Sequence, residues 1–331
     1  MEKKEIPEET KKLIENSRFL YTRTKYIFDF AIETWYPYVE KYTLKTEVLE
    51  VSIEEAEALL NYCEEFYNSN SNIESKNLKT EENKKTLSLL EQRINTSIES
   101  NFNNASFVKL STRSPKDAVT TGINEKMKQE FENELKKSDG SPNQDTIAFV
   151  NAKRKCLKVT SGAEALELFR RSSRIREDLM RTLEFPGAFS LAIIIREWVE
   201  MDASMEFRGF VFNKKLNALS QYCYLQCFSN LHAEKQDISQ RVNDFFLQIS
   251  PLIPQDNYIV DLVFLEKEIK IIELNPFFAD TSGCLFDWNE DLDRQTIKNG
   301  PFEFRILEKP IENPYGCLPE ECLFLIRFFS F

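Results

Sequence analysis

Two carboxylates and an amide, Asp261, Glu273 and Asn275, sit in the otherwise apolar segment NYIVDLVFLEKEIKIIELNPFF, residues 257–278. The segment reads as two adjacent β-strands, 258–265 and 268–275, because both are dense in Ile, Val, Leu and Phe and the polar Glu266 and Lys267 lie between them. Alternation puts Glu273 and Asn275 on one face and Leu274 on the other. Asp261 joins them only under a condition. A two-residue turn at Glu266 and Lys267 sets Asp261 opposite Ile272, on the wrong face, so an odd loop or a bulge is required to bring it opposite Glu273. Facing carboxylates on an aliphatic sheet repel and need a cation or a proton between them. Hard oxygen donors without His or Cys suit magnesium, which completes its shell with water and phosphate oxygens. A solvated outer face is the other reading of the same residues.

A second set of polar residues is basic. Residues 105–110 have strand character and include Lys109 near their end, followed by Ser111, Thr112, Arg113, Ser114 and Lys116. This is a loop of hydroxyls and positive charge that can cradle phosphate, although it lacks the glycines of a P-loop and, taken alone, reads first as a solvated loop. The strand 189–199 carries five consecutive apolar residues and then breaks at Arg196-Glu197-Trp198. On the next strand, 205–213, Glu206 and Arg208 share a face, so Arg208 either reaches phosphate oxygens or pairs with Glu206.

Composition excludes several classes. A net charge of −11 argues against nucleic acid or an anionic membrane as the main partner, and no apolar run approaches a membrane span. The amino terminus MEKKEIPEETKK lacks the apolar core of a signal peptide. Seven cysteines, with no CxxC pair, point to a reducing compartment, the cytoplasm. A single histidine, His232, removes most zinc sites and the Ser-His and Cys-His nucleophile schemes. Chemistry here rests on carboxylates, Lys, Arg and a bound cofactor.

These residues need elements to position them. Residues 10–42 read as amphipathic helix running into the aromatic segment Trp35-Tyr36-Pro37-Tyr38, whose rings serve packing. Residues 46–51 read as a short strand, and Ser52 with Glu55 opens a helix in a capping-box pattern, as Ser161 with Glu164 does later. Residues 68–84 are read as an exposed loop, and the polar stretch near 122–145 as an insertion or lid outside the core. Lys215–Tyr222 is read as a strand, residues 234–249 as a helix, and the chain beyond 281 as irregular.

Taken in order, the strand lysine, the hydroxyl-rich loop, the Arg-Glu-Trp break, the Arg on the next strand and the Asp, then Glu-x-Asn, resemble the ATP-grasp architecture. More closely, FVKLSTRSPKDA, LELFRRSSRIREDL, IREWVEMDASMEFRGFV, LSQY, VDLVFLEKEIKIIELNPF and LFDW are similar to the cell division cycle protein 123 family. The resemblance implies an α+β, ATP-grasp-like fold with two α+β lobes and ATP between them. It divides the chain into a mainly helical region, 1–104, a small lobe, 105–195, a large lobe with the magnesium site, 196–280, and a C-terminal wrap, 281–331. By the same resemblance Lys109 reaches ATP phosphate, Ser111 and Ser114 lie over the phosphates, and Glu197, Trp198 and Val199 form the hinge against adenine, largely through backbone groups, with Arg196 beside them. Arg208 contacts phosphate with Gln221 nearby, and Asp261, Glu273 and Asn275 bind Mg2+.

Family members act in assembling the eukaryotic initiation factor two complex by binding its gamma subunit. The implied function is therefore that of an ATP- and magnesium-binding assembly chaperone. The alternatives are an ATP-grasp enzyme that activates a carboxylate as an acyl phosphate, and a nucleotide-free binding module. The chain departs from the family at Ser111-Thr112 (commonly Asn-Trp), at Glu197 (commonly Lys) and at Cys223 (commonly Asp).

Overall fold

The computed structural model describes residues 8–69, 81–121, 125–137, 143–266 and 268–312. They form two antiparallel-built sheets. The first has four strands in the order β1 (Thr46–Val51), β4 (Leu191–Glu197), β2 (Ser106–Leu110), β3 (Lys158–Val159). The second has five, β8 (Ile269–Pro276), β7 (Tyr258–Phe264), β5 (Glu206–Phe212), β6 (Lys215–Gln221), β9 (Glu303–Arg305), with only the β6–β9 pairing parallel. This is the two-lobed α+β class implied by the sequence.

Alternation on β4 explains how one strand serves two cores. Leu191, Ile193 and Ile195 pack under the helices α3 (Ile53–Ser69), α4 (Glu81–Asn101), α7 (Gly162–Arg170) and α8 (Ser173–Glu184), whereas Ala192 and Ile194 face the second sheet. The second sheet's inner face, with Phe207, Val260, Leu262 and Leu274, is covered by α9 (Ser229–Ile249) through Leu231, Ile238, Val242 and Phe246. Helix α1 (Glu8–Phe28) leads into α2 (Ile32–Val39), which drives Ile32, Trp35 and Val39 into the same core. Within the mainly helical first hundred residues, the short strand expected at 46–51 is present as β1 and completes the first sheet.

Local chemistry sets the turns and helix starts. Asn213 and Lys214, both at positive φ (50° and 61°), close the β5–β6 hairpin in the two-residue turn whose twist suits antiparallel strands. Ser52 and Glu55 form a reciprocal capping box, at 2.9 and 3.2 Å. At α7, Ser161 Oγ accepts the Glu164 N–H, while the Glu164 carboxylate reaches back to the Thr160 N–H instead. Among the described residues no helix is long and apolar enough to cross a membrane.

Three expectations change. The polar stretch near 122–145, in part outside the described residues, is not a lid. Its helix α5 (Glu125–Leu135) buries Met127 and Phe131 completely against α6 (Gln144–Lys155), through Ala148, Phe149 and Ala152. Residues 81–84 of the expected loop belong to α4, while 70–80 lie outside the described residues. Beyond 281 the chain is partly regular: α10 (Asp291–Asn299) packs Ile297 against Phe210 and Ala218, and β9 extends the sheet. The rest of the expected C-terminal wrap, 313–331, lies outside the described residues.

Phe131→Ala should therefore cost about 3–5 kcal/mol, the usual penalty for emptying a buried aromatic site. Chemical denaturation reads it directly, and a change below about 1 kcal/mol would return α5 to the status of a peripheral insertion.

Candidate functional site

The turn condition on Asp261 is met by a bulge. Phe264 pairs with Ile269 and Leu265 N–H donates to Glu268 O at 2.9 Å, a two-residue connection that on its own would place Asp261 opposite Ile272. Between Asp261 and Leu262 the register shifts, Ile272 becomes the extra residue, and Asp261 lies opposite Glu273. Asn275 then sits two residues along the same face, and its amide donates to Asp261 Oδ2 at 3.3 Å.

Cations answer this negative charge from both lobes. Arg208, opposite Asp261 on β5, grips it in a fork: Nε donates to Oδ1 at 2.7 Å and one terminal nitrogen to Oδ2 at 2.8 Å, while the other donates to Ser282 O at 2.9 Å. The open choice between phosphate and Glu206 as its partner resolves differently, because Glu206 is held by Arg154 of α6. Lys109, from β2 in the other sheet, forms an ion pair with Glu273. Burial pushes the Glu273 carboxyl up, but Lys109, and with it Lys116, hold it down at about 2. Burial works against the Lys116 ammonium too, yet Tyr222, Glu206, Glu273 and Asp261 keep its pKa above the ordinary lysine value. Lys116 Nζ donates to the Tyr222 hydroxyl at 2.8 Å, and Tyr222 presents its ring to both Lys116 and Arg208, each 5.0 Å from the centroid.

Beside these charges opens a cavity of about 360 Å³, a size that takes a small-molecule ligand. Phe107, Phe149, Val150 and Leu157 give it an apolar wall, and Glu197, Trp198 and Val199 line a further side. Lys116, Arg154 and Glu206 line its polar side. Glu197 also ties the first sheet together, since its carboxylate accepts the Lys45 N–H at 2.7 Å. Trp198 donates its indole N–H to Glu200 at 2.8 Å and lies 5.8 Å from the Lys158 ammonium.

Other expected residues serve as supports. The Ser111 hydroxyl exchanges hydrogen bonds with the Ala192 backbone, at 3.2 and 2.9 Å, so it continues the β2–β4 ladder. Thr112 and Arg113 turn to Asp178 on α8, the latter at 3.3 Å. Ser114 is buried, and Gln221 spends its amide on Cys223 O, Gln226 O and Leu307 N–H, each at 2.7 Å. Arg196 is buried and lines the cavity, and among the described residues it has no carboxylate partner within ion-pair distance. Lys116 belongs to the basic loop that the sequence offered as a phosphate cradle, whereas sequence reasoning missed Arg154 and Tyr222, which carry no local signal.

The donor set fits magnesium in part. Two carboxylates and one amide give hard oxygens on one face, and among the described residues no group of three or more His, Cys, Asp or Glu is gathered that would hold a metal by itself. Such a site needs oxygen ligands from elsewhere, as magnesium held together with phosphate does.

A model of the D123 family matches residues 121–316, more than half of the chain. The chain belongs to the D123, or Cdc123, family. A "Putative CDC123-like protein" of Acanthamoeba polyphaga mimivirus is 26% identical over 88% of this chain and 79% of its own length. A "Translation initiation factor eIF2 assembly protein" of Schizosaccharomyces pombe is 28% identical over 46% of this chain, and the match spans about half of that relative's length (50%). The solved structure of Cdc123 from Schizosaccharomyces pombe superposes with a TM-score of 0.61 at 23% identity, covering 86% of this chain and 98% of that one, so D123 family members share this fold.

The Lys109–Glu273 pair has a pH signature. The folded-state pKa of Glu273 lies below its ordinary value of 4.5, so the stability the pair contributes is full above about pH 4.5 and is lost as pH falls towards about 2. Lys109→Met should cost on the order of 3 kcal/mol at neutral pH, because it strands a carboxylate that is only 20% exposed. In urea unfolding series the deficit should shrink across that acid window, and a deficit that stays constant there contradicts the pairing.

Proposed function

We propose that this chain binds ATP with magnesium in the cleft between its two sheets and acts as a cytoplasmic assembly factor for the eIF2 complex, with the gamma subunit as its protein partner. The observation that carries the nucleotide half is the interleaving of charge. Lys109, Lys116 and Arg208 alternate with Glu273, Asp261 and Glu206 beside an apolar cavity of about 360 Å³. Triphosphate oxygens are the ligand class that competes with carboxylates for such cations. As phosphate draws Lys109 and Arg208 away, Glu273 and Asp261 are left free to hold magnesium with Asn275, and the metal supplies the positive charge that lets carboxylates and phosphates share one site. The wall of Phe107, Phe149, Val150 and Leu157, with Trp198 and Val199 at the hinge, suits a flat aromatic base.

The partner half is supported by the relatives. The fission yeast, Candida albicans and Xenopus laevis proteins with which this chain shares 28% identity over 40–46% of its length are each named eIF2 assembly protein. In this reading the nucleotide's work is to hold the two lobes in one arrangement, since the cations and carboxylates that it engages come from both sheets.

Lys116→Met removes a charge-assisted contact worth roughly 1.5–3 kcal/mol and should weaken ATP binding about ten- to hundred-fold in calorimetry. An eIF2 gamma subunit should be captured by the wild-type chain in an ATP-dependent way, and that dependence should be lost in the variant. Absence of capture with or without ATP would sink the assembly role, and sustained release of ADP or AMP by the isolated chain would point to a ligase instead.

A further inference from the structure

A bulge takes the backbone of its extra residue out of the ladder, and in β8 that residue is Ile272, on the edge strand of the second sheet. Its carbonyl is nevertheless satisfied, by one terminal nitrogen of Arg196 reaching across from β4. The neighbouring Ile271 carbonyl accepts the Thr43 hydroxyl at 2.6 Å, and the Thr43 oxygen in turn accepts the other terminal nitrogen of Arg196, also at 2.6 Å. Arg196 Nε donates to Thr46 Oγ1 at 3.0 Å. Each nitrogen of the guanidinium thus has a neutral acceptor, and the side chain is only 2% exposed. Burial brings its pKa down to about 10, even with Glu273, Tyr36 and Glu197 nearby.

Burying a cation that contacts only neutral groups carries a desolvation cost that no directly bonded carboxylate offsets, so its hydrogen bonds mark a group kept for what it holds. What it holds is the bulge. Losing the bulge would slip β8 by one residue from Ile272 onward, set Asp261 opposite Ile272 and turn Glu273 to the opposite face. We infer that Arg196 is a positioning residue, which pins the Ile272 carbonyl from the opposite lobe and thereby fixes Glu273 opposite Asp261. The family resemblance places Arg196 beside the adenine hinge, and it does line the cavity, but its guanidinium is committed to these three acceptors. Lysine cannot substitute, because one ammonium on a flexible stem does not span three acceptors in a planar fork. The consequence for metal binding rests on the proposed magnesium–ATP reading, whereas the consequence for β8 does not.

The test uses Arg196→Lys in the full chain, with Thr43→Val as a second variant that keeps volume and removes only the hydroxyl relay, should the first fail to fold. Hydrogen exchange is followed in β8 and, as a control, in β5. The expected result is exchange in β8 about tenfold faster with β5 unchanged, in keeping with a local opening. In calorimetry the magnesium concentration for half-maximal ATP binding should rise about tenfold, the usual scale for losing an outer-shell support. ATP affinity in chelator should change by less than about twofold. Unaltered β8 exchange in the folded variant overturns the inference, as does an equal loss of affinity with and without magnesium, which marks a direct nucleotide contact. Wild-type binding that ignores magnesium would defeat the proposed function instead, and β8 exchange would still decide the role of Arg196.

Discussion

Two carboxylates on neighbouring strands, Asp261 and Glu273, face each other in a largely apolar sheet, and their repulsion is the constraint around which the cleft is arranged. Left alone, such a pair takes up a proton or comes apart. Here cations hold it together. Arg208 neutralises one member from the adjacent strand, Lys109 neutralises the other from the opposite sheet, and Lys116 adds a third positive charge supported by Tyr222. The protein has concentrated charge of both signs where it could have placed leucines. Buried ion pairs are weak as sources of stability compared with apolar packing of the same volume, so the arrangement points to a ligand.

The two lobes are coupled through these contacts as well as through their shared core. Trp35 and Ile32 of α2, with Ala192 and Ile194 of β4, join the core of the second sheet, so the lobes are packed together by apolar burial. At the cleft the coupling becomes polar: Lys109 to Glu273, Arg196 to the Ile272 carbonyl, and Arg154 to Glu206 all cross from one lobe's elements to the other's sheet. A polyanion entering here would exchange the first of these contacts and leave Arg196 in place. In the proposed reading, that division of labour would let β8 keep its register while its charges change partners.

Much of this was legible in the sequence, for identifiable reasons. The strands at 191–197, 206–212, 258–264 and 269–276 announce themselves through β-branched and aromatic density, and Asp261, Glu273 and Asn275 stand out because polar residues are rare there. The bulge was legible only as a condition, because period-two alternation states what a regular hairpin would do and not where a residue will be inserted. Helix α5 was misread because its charged residues outnumber the apolar ones, yet Met127, Phe131 and Leu135 recur every four residues, the spacing of one buried stripe. Arg154 and Tyr222 were invisible as site residues, since each is brought to the cleft by elements far apart in the chain. Ser111 and Gln221 illustrate the converse: their types suit a ligand, but the backbone groups beside them claim their hydrogen bonds first.

The most direct measurement is a crystal structure with magnesium and a non-hydrolysable ATP analogue. The account predicts the base against Trp198 and Val199, phosphate oxygens on Lys109 and Lys116, and a metal held by Asp261, Glu273 and Asn275, with Lys109 parted from Glu273 and Arg196 still on the Ile272 carbonyl. An analogue bound elsewhere, or one bound in the cleft while Lys109 keeps Glu273 and no metal joins the carboxylates, would contradict it.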